Sequence, residues 1–136
     1  MPDRDPILKE LGGLLGAISH MARLRIIEEL GHGERDVNSL QGALRVSHSS
    51  VSQHLSVLRA HRVVAERREG RHVFYHLRNA ALAAWLLDGM RFVSMDPAEA
   101  KEIRRAMERA HKAWSVANDA AKKRSPRNGR RSTEAR

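Results

Sequence analysis

The chain has 136 residues, no cysteine and a formal net charge of +9 at pH 7. This length fits one domain with a modest core and an appendage. The lack of cysteine excludes disulfides, thiolate metal sites and a cysteine nucleophile. There is no apolar run of about 18 residues, and Asp3, Arg4 and Asp5 stand where a signal peptide would be apolar. We therefore expect a soluble, cytoplasmic protein with no membrane partner.

The positive charge is concentrated in the middle and at the end of the chain. Residues 45–78 carry seven Lys/Arg against two acidic residues, and residues 97–136 carry twelve against five. Residues 1–44 are slightly acidic. Basic segments favour a polyanionic partner because binding releases counterions from phosphates. The distribution indicates a nucleic-acid partner, with a generic solvated surface as the alternative for the tail.

Two helices are predicted in the first 33 residues. The first covers 7–18, with Asp5 as its cap and Pro6 at its first position. It is rich in leucine but contains glycines, so it should form because it packs against the core or a second subunit. The second helix covers about 21–30 and stops at Gly31-His32-Gly33.

A short helix over 38–44 and a tight turn precede the most unusual stretch, 47–59, for which Ser47 is a good N-cap. At helical spacing, Val51, Leu55 and Leu58 form one apolar face. The rest of the surface carries short hydroxyl and amide side chains and no carboxylate. Such side chains suit close approach to phosphates and base edges. Two short helices joined by a tight turn form a helix-turn-helix unit.

The hydrophobic period changes from 3.6 to 2 after this helix. Strand-like runs at 63–68 and 72–77 flank a turn around Gly70 and predict a β-hairpin. The tip has little to bury, so its basic residues are expected to reach a phosphate backbone or a minor groove. A plain surface hairpin is the alternative. The tip residues are Arg67, Arg68, Arg71 and His72.

The C-terminal part predicts helices that a small domain cannot bury alone. The pattern from Asn79 to about residue 93 is apolar nearly all round. A further helix follows, with Asp96 as cap and Pro97 at its first position. Its apolar seam consists of Ile103, Met107, Ala110, Trp114, Ala117 and Ala121. We expect a homodimer whose interface uses Leu11, Leu14, Leu15, Leu82, Trp85, Leu86, Met90 and Trp114.

The predicted organisation has three parts. Residues 5–95 form a DNA-binding and dimerisation domain, residues 96–123 form a C-terminal helix that enlarges the dimer interface, and residues 124–136 form a disordered basic tail.

Three segments, 22–30, 46–59 and 68–77, resemble the winged-helix dimer of the ArsR/SmtB family of bacterial transcriptional repressors. The second contains the run S-x-S-x-V-S-x-H-L and the third the wing R-x-G-R-x-V-x-Y, at the family's separation. The resemblance covers about 7–93. It implies a mainly α fold with a small β-hairpin, a dimeric winged helix-turn-helix with an extra C-terminal helix.

By this resemblance, the helix after Ser47 enters the major groove of double-stranded operator DNA in each half-site of a pseudo-palindrome. Gln53 could make a bidentate contact to adenine, and Arg59 could meet a phosphate. His54 could equally be packed and hydrogen-bonded within the protein. The residues expected to bind DNA are Ser47, His48, Ser49, Ser50, Ser52, Gln53, His54, Ser56, Arg59, Arg67, Arg68, Arg71 and His72.

The metal-ligand sets known in the family are missing from this sequence. Asp36 and Asn38 stand in place of the family's cysteine thiolates, which rules out a soft-metal site there. None of the residues at the family's second site will hold zinc. We expect no metal and no cofactor, with a site built from some of the eight histidines as an open alternative. The second-site positions are held by Asn79, Ala81, Phe92 and Met95.

The expected function is a sequence-specific DNA-binding regulator, a repressor that occludes a promoter as a homodimer. Its effector is unknown. Two alternatives stay open: a metal-responsive repressor with the same fold, and a winged-helix module that binds proteins without specific DNA binding. An enzyme is disfavoured because the sequence has no Gly-rich phosphate loop, no paired carboxylates and no nucleophile in a recognisable turn.

Overall fold

The structure, a computed structural model, describes residues 4–93 and 96–124. The predicted tail was 124–136: residue 124 is instead the last residue of a helix, and residues 125–136 lie outside these ranges. Within them, no helix is long and apolar enough to cross a membrane. The mainly α fold with a small sheet is confirmed. The elements are α1 (Asp5–Ile18), α2 (Met21–Gly31), β1 (Arg35–Asp36), α3 (Val37–Leu44), α4 (His48–Ala60), β2 (Val64–Glu69), β3 (His72–Leu77), α5 (Leu82–Asp88), a 3-10 helix (Gly89–Phe92) and α6 (Pro97–Arg124).

An aliphatic core lies beneath α4. The predicted apolar face of this helix, Val51, Leu55 and Leu58, is buried together with Ile26 and Ile27 of α2. Burying one such side chain stabilises the fold by about 1.5–3 kcal/mol. Because this stripe must face inward, the hydroxyl and amide side chains of α4 are directed to the opposite side.

The hairpin of β2 and β3 forms the wing, and a strand that was not predicted extends it. The pairing runs from Val64 opposite Leu77 to Glu69 opposite His72. Gly70 makes the turn with a φ of +60°, a conformation that favours glycine. The two-residue strand β1 pairs antiparallel with β3, which gives the sheet order β1-β3-β2. A strand of two residues is too short to show a hydrophobic period, so β1 could not be predicted from the sequence.

Four of the described helix starts have side-chain caps, made by His20, Asp36, Ser47 and Asp96. Ser47 Oγ accepts a hydrogen bond from the Ser50 backbone N–H at 3.2 Å, and Asp96 Oδ1 accepts one from Ala98 at 2.8 Å, so both predicted caps are confirmed. Asp36 caps α3 in the same way through Ser39. The predicted cap of the first helix is wrong, because α1 begins at Asp5 itself, without a side-chain cap bond at the preceding residue.

The helix predicted from Asn79 starts three residues later. The Asn79 side chain accepts a hydrogen bond from the Ala81 N–H at 3.0 Å. This local bond favours a turn over a helix at these residues. The α5 helix then ends at Asp88, and the chain tightens into the 3-10 helix.

Helix α6 is attached to the rest of the chain through Trp114. This side chain is only 6% exposed and packs on Gly31 of α2 and Ala83 of α5. A Cβ atom on Gly31 would lie 2.8 Å from the indole nitrogen, so the glycine makes room for the ring. The prediction that Trp114 lies at a dimer interface is therefore wrong: its side chain belongs to the core of its own protomer. The other described members of the predicted seam, Ile103, Met107, Ala110 and Ala117, are half-buried.

Candidate nucleic-acid interface

The outer face of α4 is polar, exposed and free of carboxylates. Ser49 and Gln53 are exposed, whereas Ser50 and Ser52 are half-buried. The Ser56 hydroxyl donates to the Ser52 carbonyl oxygen at 2.9 Å, so it is engaged with its own helix. Ser47 caps the helix, and its Oγ lies 3.2 Å from that of Ser49. Gln53 is the long polar side chain that projects from the middle of this face. His48 is also exposed.

Arg59 connects the end of α4 to the wing. Its guanidinium lies 2.8 Å from a carboxylate oxygen of Glu66 on β2, and its side chain is 56% exposed. Exposed ion pairs of this kind contribute about 0–1 kcal/mol to stability. The contact contributes little to stability, but it joins the end of α4 to strand β2 and so places the outer face of α4 next to the wing.

His54 contacts two residues that precede the helix-turn-helix unit in the chain, His20 and Arg23. Its ring centroid is 4.5 Å from that of His20, and an Arg23 guanidinium nitrogen lies 3.4 Å from His54 Nδ1. Arg23 also donates to the Ala17 carbonyl oxygen at the end of α1. Arginine can only donate, so His54 Nδ1 is the acceptor and the proton of the neutral ring is on Nε2. Burial, reinforced by the charges of His20 and Arg23, lowers the pKa of His54.

The tip of the wing carries exposed basic side chains. Arg68, Arg71 and His72 are all exposed. Arg68 lies 3.9 Å from Glu66, and Arg71 makes no ion pair with any residue that the structure describes. Three of the four basic residues predicted at the tip are thus exposed there without a close hydrogen-bonded partner among the described residues, and the fourth is the exception.

The exception is Arg67, which faces the body of the domain. It donates to both Glu34 oxygens, through Nε at 3.1 Å and Nη2 at 2.9 Å, and Nη1 donates to Glu69 at 2.8 Å. Its guanidinium also lies 4.9 Å from the centroid of the Phe74 ring. The hydrogen bond from Arg67 lowers the pKa of Glu34. Arg67 therefore anchors the wing to the loop before β1.

Sequence reasoning did not identify Glu34 as part of this arrangement. It is separated from Arg67 by 33 positions, and neither residue type nor spacing signals a pair so distant. His76 lies on the same side, with Nδ1 3.7 Å from a Glu34 oxygen.

Asp36, which stands where the family has a cysteine, serves as a helix cap. Its carboxylate accepts the Ser39 N–H at 2.8 Å, and the hydrogen bonds from Ser39 lower its pKa. Within residues 4–93 and 96–124, no group of three or more His, Asp or Glu side chains is placed to hold a metal ion.

Exposed apolar side chains of α1 and α5 form a further surface. Leu11 and Leu15 of α1 and Trp85 of α5 are 41%, 45% and 49% exposed. With Leu86 and Phe92 they line one groove. We call these five residues the α1–α5 face. Of the other predicted interface residues, Leu14 and Leu82 line the adjoining cavity, and Met90 lies beside α6.

Comparisons with known proteins agree with this geometry. Residues 20–66 match the family described as bacterial regulatory proteins of the arsR family. The HTH-type transcriptional repressor SmtB of Mycobacterium tuberculosis is 39% identical over 95 residues, which cover 70% of this chain and 70% of that protein. The chain belongs to the ArsR family of bacterial regulatory proteins.

Solved structures of other proteins agree with this assignment to the ArsR family. Reduced HlyU from Vibrio cholerae superposes with a TM-score of 0.60 at 29% identity, covering 70% of this chain and 100% of that one. NolR from Sinorhizobium fredii gives a TM-score of 0.61 at 27% identity, covering 71% and 96%. The ArsR-family assignment makes the chain a DNA-binding transcriptional regulator with a winged helix-turn-helix fold.

Proposed function

We propose that this ArsR-family protein represses transcription as a homodimer, with α4 of each protomer in the major groove of an operator half-site and the wing on the adjacent backbone. The observation that carries the proposal is the Arg59–Glu66 ion pair at 2.8 Å. It holds a helix face without carboxylates beside a hairpin with exposed arginines. Such a combined surface fits a duplex, whose phosphates attract cations and whose base edges are read by short polar side chains.

The residues have different roles in this proposal. Gln53 reads a base, because its exposed amide can both donate and accept, as adenine requires. Ser49, Ser50 and Ser52 donate to bases or phosphates, and His48 lies at the helix N-terminus, where the helix dipole favours an anion. Arg59, Arg68, Arg71 and His72 contact the backbone. Ser47, Ser56, His54 and Arg67 position these groups, since their polar atoms are engaged within the protein.

Dimerisation through the α1–α5 face completes the proposal. A groove lined by leucines, a tryptophan and a phenylalanine is typical of a surface that a second subunit covers. Two copies related by a two-fold axis would present two α4 helices to half-sites about one helical turn apart. Occupation of such a site overlapping a promoter would exclude the polymerase.

Quantitative binding to DNA from the region upstream of its own gene tests the proposal. Arg71→Ala should weaken binding to all sequences and reduce the slope of log affinity against log salt by about one unit, because one phosphate contact is lost. Gln53→Ala should instead reduce the discrimination between sites, by about 1–3 kcal/mol at one base pair. Arg109→Ala, which removes an exposed arginine from α6, is the matched control and should leave both quantities unchanged. Sequence-independent binding together with a silent Gln53→Ala would contradict the proposal.

A further inference from the structure

A cavity of about 370 Å³ opens at the junction of α1, α4, the sheet and α5. Its apolar lining includes Leu14, Leu82 and Trp85. Its polar lining consists of His61, Arg62, Arg78 and Asn79. No carboxylate is among the described residues that line it. The volume lies within the range of sites that hold small ligands, which are typically apolar with a few placed polar groups.

The two arginines of this cavity are available for a ligand. Neither Arg62 nor Arg78 forms an ion pair with any residue of the ranges that the structure describes. Two guanidinium groups and an imidazole beside an apolar lining match an anion that carries an apolar body. A carboxylate is favoured, since guanidinium binds it through two parallel hydrogen bonds.

The backbone at Arg62 gives an independent reason to assign its side chain a role. The N–H of Arg62 bonds to the Arg59 carbonyl at 3.0 Å, and that of Val63 bonds to the Leu58 carbonyl at 2.9 Å. This is the Schellman ending of a helix, in which the residue at the position of Arg62 is usually glycine. Arg62 adopts it with a φ of 59°, a conformation that is unfavourable for residues with a Cβ atom. A strained non-glycine residue beside a cavity is typical of a ligand site.

We propose that this cavity binds a small organic anion, a carboxylate with an aliphatic or aromatic body, and that the ligand alters DNA binding. The carboxylate would lie between Arg62 and Arg78, with its apolar body against Leu14, Leu82 and Trp85. Arg62 lies two residues after the last residue of α4, and Arg78 directly follows β3 of the wing. A ligand that joins them contacts the ends of both elements, roughly 20 Å from the N-terminus of α4.

Octanoate binding to the full-length, DNA-free protein, measured by calorimetry, tests the site. Arg62→Gly should weaken octanoate binding by about tenfold or more, because a charge-assisted hydrogen bond is lost. The same change relieves the backbone, so its thermal midpoint should equal or exceed that of the wild type. Arg78→Gln should also weaken octanoate binding. Neutral octanamide should bind the wild type more weakly than octanoate does. Its affinity should be the same for the wild type and for both variants.

The chain offers a matched control in Arg45, the other arginine with positive φ, at 55°. It lies in the turn between α3 and α4 and does not line the cavity. Arg45→Gly should therefore relieve the backbone in the same way and leave the octanoate affinity unchanged. The site is refuted if octanoate shows no saturable binding, or if it binds Arg62→Gly, Arg78→Gln and the wild type equally well.

The regulatory half of the proposal rests on the proposed function and has its own measurement. Saturating octanoate should change the operator affinity of the wild type by about fivefold or more, and that of Arg62→Gly much less. An unchanged operator affinity would overturn the regulatory role but leave the site standing. A protein that binds octanoate through these arginines yet ignores DNA would refute the proposed function alone.

Discussion

At the scale of single residues, His54 lies in α4, but its Nδ1 is engaged within the protein. Its Nδ1 accepts from Arg23, and its ring stacks near His20, whose own Nδ1 accepts the Ala22 N–H at 3.1 Å. Both imidazoles therefore use Nδ1 as an acceptor, which requires this nitrogen to be unprotonated. Protonation of His54 would place a second positive charge beside that of Arg23 and remove an acceptor from it.

This arrangement predicts a loss of stability in mild acid. The folded-state pKa of His54 is lowered, so the unfolded chain binds the proton more tightly than the folded one. Stability should fall as pH drops below the unfolded value of about 6.5, and the loss should be complete below the folded pKa. Urea unfolding of the wild type and of His54→Gln at pH 7.5 and pH 5.5 measures this. The variant should lose less stability than the wild type between the two conditions.

His48→Gln is the control for that measurement, because it removes an exposed histidine from the same helix. It should retain the pH dependence of the wild type. If His54→Gln and the wild type lose equal stability on acidification, the pKa of His54 is not lowered by its surroundings as described.

The residues that could be predicted are those whose partners are near in sequence. The Ser47 cap and the buried face of Val51, Leu55 and Leu58 follow from spacings of three or four positions, which the helix itself brings together. Arg67 could not be placed in this way, because its partner Glu34 reaches it only through the pairing of β1 with β3. The sequence predicted a tip of four basic residues, and one of them, Arg67, instead binds Glu34 in the loop before β1.

At the scale of elements, the attachment of α6 depends on one close contact. Gly31→Ala should disturb it, because the added Cβ would lie 2.8 Å from the Trp114 indole nitrogen and 3.1 Å from the Ala83 Cβ. The indole is buried in the core and cannot move aside cheaply. We expect a destabilisation of about 1–3 kcal/mol by chemical denaturation, together with a red shift of tryptophan emission as the ring meets water.

Gly42 of α3 provides the matched control, because nothing lies within 4 Å of a Cβ built on it. Gly42→Ala should be neutral or stabilise the protein by up to about 1 kcal/mol through helix propensity. A Gly31→Ala protein with wild-type stability and emission would show that α6 is not held through Trp114.

The order and type of the elements could be predicted from the sequence, because hydrophobic periodicity and helix caps depend on residues close together in the chain. The start of α5 could not be predicted, since the Asn79 side chain forms a turn that competes with the helix. Nor could the direction of Trp114 be predicted. The seam of α6 correctly marked it as apolar, but the pattern could not tell a partner subunit from the protomer's own core. Trp114 packs into the protomer's own core because Gly31, which is distant in the sequence, leaves room for the indole ring.

At the scale of the whole molecule, the α1–α5 face shares no residue with the surface proposed to bind DNA, so dimerisation and DNA contact can be tested apart. Leu15→Glu places a charge on the α1–α5 face, where a carboxylate would be desolvated by a second subunit. We expect the dimer dissociation constant to rise by about tenfold or more in sedimentation equilibrium. The affinity for the operator should fall as the dimer weakens, because separate monomers then bind the two half-sites independently.

Met21→Glu serves as the comparison, since Met21 is 68% exposed and lies outside the α1–α5 face. It should sediment like the wild type. Equal sedimentation of Leu15→Glu and the wild type would place the dimer contact elsewhere on the molecule.

The loop between α2 and α3 is short and exposed in part, and such loops usually accept insertions at little cost in free energy. Strand β1 removes that freedom here. Within three residues, Glu34 holds the wing through Arg67, Arg35 pairs with Tyr75, and Asp36 both pairs with Phe74 and caps α3. An added residue would shift these three contacts along the chain relative to one another, so that they could not all form at once. Length variation among relatives should therefore avoid this loop.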